Sequence, residues 1–147
     1  MTSFAVQLEA FAAKTNRKAD EWVGDVIADT AMKLIDRSPV GDPTLWKHPA
    51  SKDYKPGTFR GNWQLGINSV PSGETGRIDP EGTETLDAML AAIGPHPAGT
   101  ICSIVNNTPY ARPIEDGHST QAPHGVVGLT AVEFQSSASA IAMAIAS

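Results

Sequence analysis

The stretch that decides the fold is N-T-P-Y-A-R-P-I-E-D-G-H-S-T-Q-A-P-H-G-V-V, residues 107–127. It follows a short apolar run at residues 100–106 and precedes an apolar run that becomes rich in Ala and Ser. Pro109 and Pro113 oppose both regular ladder pairing and an uninterrupted helix. The stretch is therefore predicted to be a structured loop that joins a strand to a final helix.

A tight turn is predicted inside this loop, where Gly117 follows the two acidic residues Glu115 and Asp116. Glycine reaches backbone conformations that other residues resist. We expect Glu115 to accept hydrogen bonds from backbone N–H groups of the turn, and His118 and Ser119 to fasten the loop.

This succession resembles the tail-completion, or head–tail joining (neck), proteins of long-tailed bacteriophages and prophages. Those proteins typically carry an N-x-x-x-Y-A-x-x-I-E-x-G-H-S-x-Q-A-P-x-G segment that runs into a T-x-x-E-F helix. The matching residues are Asn106 or Asn107, Tyr110, Ala111, Ile114, Glu115, Gly117, His118, Ser119, Gln121, Ala122, Pro123, Gly125, Thr130, Glu133 and Phe134. A second element of the resemblance lies upstream, in Ser38-Pro39-Val40 and Arg60-Gly61-Asn62-Trp63, so that the two elements span residues 38 to 134.

The resemblance implies a structural virion component at the junction between the tail and the DNA-filled head. Such a protein is expected to form a ring of identical subunits, as a hexamer, and to meet the head-connector and the tail-tube or tail-terminator proteins. DNA is expected to pass nearby without specific binding. The implied location is the virion, with the host cytoplasm during assembly. A head-closure or tail-terminator role is the alternative within the same class.

The bulk properties are those of an ordinary globular chain. At 147 residues and 15.5 kDa, residues 1–147 are predicted to form a single domain. A single cysteine, Cys102, excludes an internal disulfide and fits a reducing cytoplasm. The net charge of −5 argues against a general nucleic-acid binder. We find no run that approaches the roughly 18 apolar residues of a membrane span, and we expect no membrane partner.

A long helix is predicted over the first quarter of the chain. Its apolar residues follow the three-and-four spacing of one helix face, from Ala19 to Leu34. Asn16 is the predicted cap, and Pro39 stops the helix. Residues 3–14 are predicted to form a preceding helical segment, either separate or continuous with it.

The remaining pattern predicts an α+β fold, with the long N-terminal helix and a C-terminal helix packed on a small, mainly antiparallel β-sheet. Strands are expected at residues 63–70 and 100–106, because apolar and polar residues alternate there. In the second strand Cys102 and Ile104 are predicted to share a face. A short helix capped by Thr83 is expected between the strands, and the final helix is expected from Leu129.

Residues 38–61 form the least regular part of the sequence, rich in Pro and Gly and locally basic. A loop of this length inside a small domain is uncommon. One interpretation is a solvated loop. The other is an arm, at residues 41–60, that packs on a neighbouring subunit with Trp46, Tyr54 and Phe59 as aromatic anchors.

The expected interface lies on the 41–60 arm, the 71–83 loop and the 107–125 segment. The individual candidates are Trp46, Tyr54, Phe59, Arg60, Trp63, Tyr110, Arg112, Glu115, His118 and Gln121.

A metal-dependent enzyme that uses Glu115, His118 and His124 is the alternative from a different class. Their spacing matches no helical metal motif, and no third histidine follows at a ligand distance. Ser119 does not lie in a nucleophile elbow, and Cys102 lies in an apolar strand where thiols are usually inert. We therefore expect no catalytic residue, no metal and no cofactor.

Overall fold

The computed structural model describes residues 3–41 and 54–146. Its elements, in chain order, are α1 (Phe4–Arg37), α2 (Thr58–Gly61), β1 (Trp63–Ile67), α3 (Thr83–Ile93), β2 (Cys102–Asn106), α4 (Ala111–Glu115) and α5 (Val127–Ala146). The long N-terminal helix, the C-terminal helix and an antiparallel sheet confirm the predicted α+β class. Within the described residues the sheet has two strands and the fold is mostly helical.

Helix α1 is one continuous helix of 34 residues, so the two predicted helical segments are merged. Ser3 caps it, with its Oγ accepting a hydrogen bond from the Val6 N–H at 3.3 Å, and the prediction that Asn16 is the cap is wrong. The buried residues lie only in its second half, from Ile27 to Ile35. Residues 3–18 are all exposed.

The sheet pairs β1 with β2 in antiparallel register, from Trp63 opposite Asn106 to Ile67 opposite Cys102. Both strands are shorter than predicted, because Asn68 turns the chain with a φ of 57°, a conformation that asparagine tolerates better than most residues. The Asn68 N–H donates to the Ile101 carbonyl at 2.8 Å, and the Asn68 Oδ1 accepts from the Ile101 N–H at 3.0 Å. This reciprocal pair closes the end of the sheet.

Asp79, rather than Thr83, caps α3. Gly82 occupies the cap position with a φ of 81°. The buried Asp79 carboxylate accepts hydrogen bonds from the Gly82 N–H at 3.0 Å, the Thr85 N–H at 2.8 Å and the Thr85 hydroxyl at 2.7 Å. Burial alone would raise the pKa of Asp79, but the hydrogen bonds from Thr85 and Gly82 outweigh it and hold the pKa below its ordinary value.

The core lies between the second half of α1, the inner face of the sheet and α3. Its buried apolar residues are Ile27, Ala31, Leu34, Ile35, Phe59, Trp63, Leu65, Met89, Ile114, Ala122 and Val126. Cys102 and Ile104 pack against this cluster together, which confirms that they share a face. Ser38 joins α1 to β1: the Trp63 Nε1–H donates to its Oγ at 2.7 Å, and its hydroxyl donates to the Leu34 carbonyl at 2.5 Å.

Replacing Ser38 with Ala is expected to lower the free energy of unfolding by about 2 kcal/mol, because the buried Trp63 N–H loses its acceptor. Chemical denaturation measures the change. Ser136→Ala is the matched control, since the Ser136 hydroxyl makes a similar bond to a helix carbonyl at an exposed position. Equal stability of the two variants would contradict the structural role of Ser38.

Several polar contacts join helix α5 to α1. The Trp22 Nε1–H donates to the Ala138 carbonyl at 3.0 Å, and Lys33 donates to the Ser137 hydroxyl at 2.6 Å. Arg37 donates to the Glu133 carboxylate at 2.7 Å. This bond, with smaller contributions from the charges of Arg37 and Lys33, lowers the pKa of Glu133. These contacts lie along one stripe of α5, and most of the other residues of the helix are exposed.

By length and composition α5 is also apolar enough to cross a membrane, and 6% of the qualifying window is buried. The prediction that no run approaches such a composition is therefore wrong. The helix begins at Val127, two residues before the predicted start, and Val132 is 84% exposed. An apolar helix that is exposed to this extent presents a surface whose burial by another molecule would be favourable.

Candidate functional site

The predicted structured loop contacts parts of the chain that are distant in sequence. Tyr110 lies just before the short helix α4 and packs edge-on against Tyr54, with ring centroids 5.3 Å apart. Its ring also lies 6.5 Å from that of Phe59. The Tyr54 hydroxyl donates to the Val40 carbonyl at 3.1 Å. Burial, and then the neighbouring Tyr110, raise the pKa of Tyr54 to about 12, so this hydroxyl remains a neutral donor.

Glu115 ends α4 and closes the N-terminus of α5. One carboxylate oxygen accepts from the Val126 and Val127 N–H groups at 2.9 and 2.8 Å, and the other accepts from the Gly128 N–H at 2.8 Å. The first N–H groups of a helix have no partner within the helix, and a negative charge there is favourable. Glu115 accepts backbone N–H groups, as predicted, but the prediction that they belong to the turn is wrong: they belong to the start of the following helix.

The charge of Glu115 is stabilised by these bonds. Burial would raise the pKa of its carboxyl, but the hydrogen bonds from Val126, Gly128 and Val127 outweigh burial. The pKa therefore lies below its ordinary value. Glu115 is ionised at neutral pH and acts as a fixed anchor for α5.

The predicted turn at Gly117 is confirmed. Gly117 has a φ of 83°, and a Cβ atom added there would lie 2.5 Å from the Pro123 carbonyl oxygen. Gly125 has a φ of 80°, and a Cβ there would lie 2.6 Å from the Glu115 carbonyl oxygen. Both glycines are needed because the loop folds back on its own backbone at these points.

Other side chains of the segment tie it to distant loops. The Asn106 Nδ2–H donates to the Phe59 carbonyl at 2.9 Å. The Asn107 Nδ2–H reaches the carbonyls of Pro71 and Gly73, at 3.1 and 3.0 Å. The Gln121 Oε1 accepts from the Gly41 N–H at 3.3 Å. The buried Ser119 fastens the loop as predicted, because its Oγ accepts from the Gln121 N–H at 3.2 Å.

The structure separates the ten interface candidates into groups. Arg112, His118 and Gln121 are exposed, and Gln121 is also bound to Gly41. Phe59 and Trp63 are core residues, at 2% and 3% exposure, and their side chains face their own chain. The expectation that they form an interface is corrected accordingly, because both are covered by intramolecular packing.

The other candidates are partly committed to their own chain. The Arg60 guanidinium donates to the Pro80 and Ser38 carbonyls at 2.8 and 2.7 Å. Tyr54, Tyr110 and Glu115 are half-buried in the contacts described above. Trp46 and the rest of residues 42–53 lie outside the described residues.

The predicted arm is thus anchored at its far end. Besides the Tyr54 contact, the Gly57 N–H donates to the Val40 carbonyl at 2.7 Å, and Phe59 lies in the core. Residues 54–60 therefore belong to the body of the domain, and the rest of the predicted arm, residues 42–53, lies outside the described residues.

Within the described residues, the fold does not arrange the acid–histidine cluster as a metal site. Among residues 3–41 and 54–146, no group of three or more His, Cys, Asp or Glu side chains is arranged to hold a metal ion. Both oxygens of Glu115 are already engaged with backbone N–H groups. His118 and His124 are exposed on the surface of the loop.

An apolar groove that sequence reasoning missed lies between α1, β2 and α5. It encloses about 370 Å³. Its lining residues are Trp22, Val23, Val26, Ile27, Thr30, Thr100, Cys102, Ile104, Phe134 and Ala138. The lining residues from α1 have the spacing of one helix face in the sequence, but the same spacing is expected for a face that is fully covered by the core. Only the placement of α5 in the tertiary structure leaves this part of the α1 face uncovered.

No protein-family model, no curated protein and no solved structure matches this chain. What the chain does is therefore inferred from its residues and their geometry.

Proposed function

We propose that this protein is a structural component of a long-tailed phage particle that acts at the head–tail junction, as a ring of identical subunits. It joins the head connector to the tail tube or to the tail terminator. The choice of this particular role rests on the segment that resembles the tail-completion proteins. A head-closure or tail-terminator role remains the alternative in the same class.

The observation that carries the proposal is that the segment resembling the tail-completion proteins is hydrogen-bonded to several other parts of the chain. Asn106, Asn107, Glu115 and Gln121 all bind backbone groups of other elements. Side chains engaged in this way hold a shape, as a structural part requires. Such an arrangement also fixes the exposed Arg112 on a defined surface, where a neighbouring subunit can meet it.

Exposed apolar helices support the same proposal. Phe4, Phe11, Val132 and Met143 are each at least two-thirds exposed, at 78%, 68%, 84% and 74%. Large apolar patches on a folded chain mark surfaces that another protein covers. A ring closes when each subunit offers one surface to a different surface of its neighbour. The net charge of −5 suits a channel that DNA passes without being bound.

Complementation of a phage or prophage from which this gene has been deleted tests the proposal. Free DNA-filled heads and separate tails of normal length are the expected products in electron micrographs, and the restored gene should return joined particles. Overlong tails would instead favour the terminator role, and heads that lose their DNA the head-closure role. Normal infectious particles from the deletion strain would contradict all three.

Residues 42–53 of the predicted arm give a second prediction. Replacing residues 42–53 with a short Gly-Ser linker should preserve the thermal unfolding midpoint, since Tyr54 and Phe59 stay in place, and should abolish joining of heads to tails. The change stops short of Phe59, because loss of that core side chain would unfold the domain. Joined particles at normal yield from a stably folded variant would rule out this segment as an assembly element.

A further inference from the structure

The first half of α1, residues 4–18, is a helical arm that its own chain leaves uncovered. Phe4, Leu8 and Phe11 recur at the spacing of one helix face and are 78%, 54% and 68% exposed. An isolated helix of this length is marginal in water, and helices in proteins gain most of their stability from packing of an apolar face. The arm is therefore suited to being covered.

The apolar groove between α1, β2 and α5 is a surface of complementary character. Its floor includes Cys102 and Ile104, and its walls include Trp22, Val26 and Phe134. Its volume of about 370 Å³ can admit side chains that project from a helix rather than a whole helix. The groove can therefore bind apolar side chains of another molecule.

The arm cannot fill the groove of its own chain. Phe11 and Trp22 lie on the same helix, and the rise of about 1.5 Å per residue separates them by roughly 16 Å along its axis. Because α1 runs without a break from Phe4 to Arg37, the arm cannot fold back. Only another molecule can bring such a stripe to the groove.

We propose that the helical arm of one copy docks its Phe4, Leu8 and Phe11 stripe into the groove of a second copy. The inference rests on the proposed ring and names the surfaces that build it. The arm and the groove are different surfaces, so the contact is heterologous, and each copy is both donor and acceptor. Repetition of such a contact gives a ring when the rotation closes.

Charge favours a second copy as the occupant. The base of the arm carries the cations Lys14, Arg17 and Lys18, all exposed, whereas the part of α1 that bears the groove carries the anions Glu21 and Asp25, also exposed. A docked arm brings its basic end to the acidic part of a neighbouring helix, within the ~10 Å range over which charges act in salt solution.

The surface area that the arm would bury is also of the order expected for a stable interface. Covering an aromatic side chain buries roughly 150–250 Å², so Phe4 and Phe11 together supply about half of the ~800 Å² that each partner contributes to a stable interface. Leu8 and the flanking side chains of the arm supply the remainder.

Cross-linking to Cys102 tests the contact, because the chain's single cysteine lies in the groove. Phe11→Cys should form disulfides between the arm of one copy and the Cys102 of the next under mild oxidation. On non-reducing gels the expected result is a ladder of dimers, trimers and higher species, since each chain has one donor and one acceptor. Phe11→Cys combined with Cys102→Ser should give no species larger than a dimer, since each chain then has one cysteine.

Val70→Cys is the matched control, an equally exposed apolar position at 69% that lies outside the arm. It should give no ladder with Cys102. A ladder from Val70→Cys equal to that from Phe11→Cys, or no ladder from Phe11→Cys, would overturn the proposed contact.

A second measurement separates this contact from the proposed function. Phe4→Ser combined with Phe11→Ser should leave the thermal midpoint of the body unchanged and reduce the mass in light scattering from that of an oligomer to that of one chain. If the variant keeps the parent's oligomer, the arm contact is wrong while a role at the head–tail junction stands. If deletion of the gene leaves normal joined particles, the proposed function fails whatever the ladder shows.

Discussion

Replacing Glu115 with Ala is expected to lower the free energy of unfolding by about 3 kcal/mol. Three backbone N–H groups at the start of α5 lose their acceptor, at positions 126, 127 and 128. Loss of a helix cap costs about 0.5–2 kcal/mol, and a hydrogen bond to a charged group contributes about 1.5–3 kcal/mol. Partial exposure of the carboxylate keeps the total below the sum of the three bonds. Denaturant unfolding followed by circular dichroism measures the change.

Glu81→Ala is the control, because Glu81 is exposed and lies just before α3 without closing its N-terminus. It should change stability by no more than about 0.5 kcal/mol. Equal effects of the two substitutions would show that the carboxylate of Glu115 does not hold α5.

Glu115→Gln gives the pH dependence of the same contact. The folded pKa of Glu115 lies below the ordinary value of 4.5. Its contribution is therefore complete above pH 4.5 and is lost as the pH falls through the folded pKa. The amide keeps one acceptor oxygen and no charge, so the variant should be about 1.5 kcal/mol less stable at neutral pH. The gap between parent and variant should narrow below pH 4.5; a gap that stays constant down to acid unfolding would contradict the assignment.

The second large effect is expected at Gly117. Gly117→Ala combines two costs: a side chain at a φ of 83°, and a Cβ atom 2.5 Å from the Pro123 carbonyl oxygen. The left-handed conformation alone costs about 1–2 kcal/mol, and the backbone contact forces the loop to move. We expect a total of about 3 kcal/mol, measured by denaturant unfolding.

Gly99→Ala isolates the effect of the contact. Gly99 has nearly the same φ, 79°, but nothing lies within 4 Å of the position its Cβ would take. It should lose only about 1 kcal/mol. If the two alanine variants unfold at the same denaturant concentration, the close approach of the loop to Pro123 has no energetic consequence.

Local patterns were sufficient to predict several features of the fold. The alternation around Trp63 and Leu65 predicted β1, and the facing of Cys102 and Ile104 was also correct, because strand residues two apart share a side. The turn at Gly117 followed from the identity of neighbouring residues. Boundaries were less accurate: Asn68 ends β1 early through a hydrogen-bonded pair with Ile101, a partner distant in sequence.

Predictions of exposure failed where packing decided the outcome. Phe59 was expected on an interface because it lies in an irregular, aromatic loop, yet its ring packs against Trp63 with centroids 5.8 Å apart. Conversely, Phe4 and Phe11 are apolar and helical but contact no core. The hydrophobicity of a side chain indicates that its burial is favourable, but it does not indicate which surface buries it.

By itself, the sequence determined the α+β class, the positions of the main helices and strands, and the loop at residues 107–127. These depend on hydrophobic period, prolines and glycines, which act over a few residues. Only the tertiary structure decided that Glu115 closes α5, that Asp79 caps α3, and that the groove beside Cys102 stays open. Each of these depends on groups brought together by the packing of whole elements, and such distances are set by the fold rather than by neighbours along the chain.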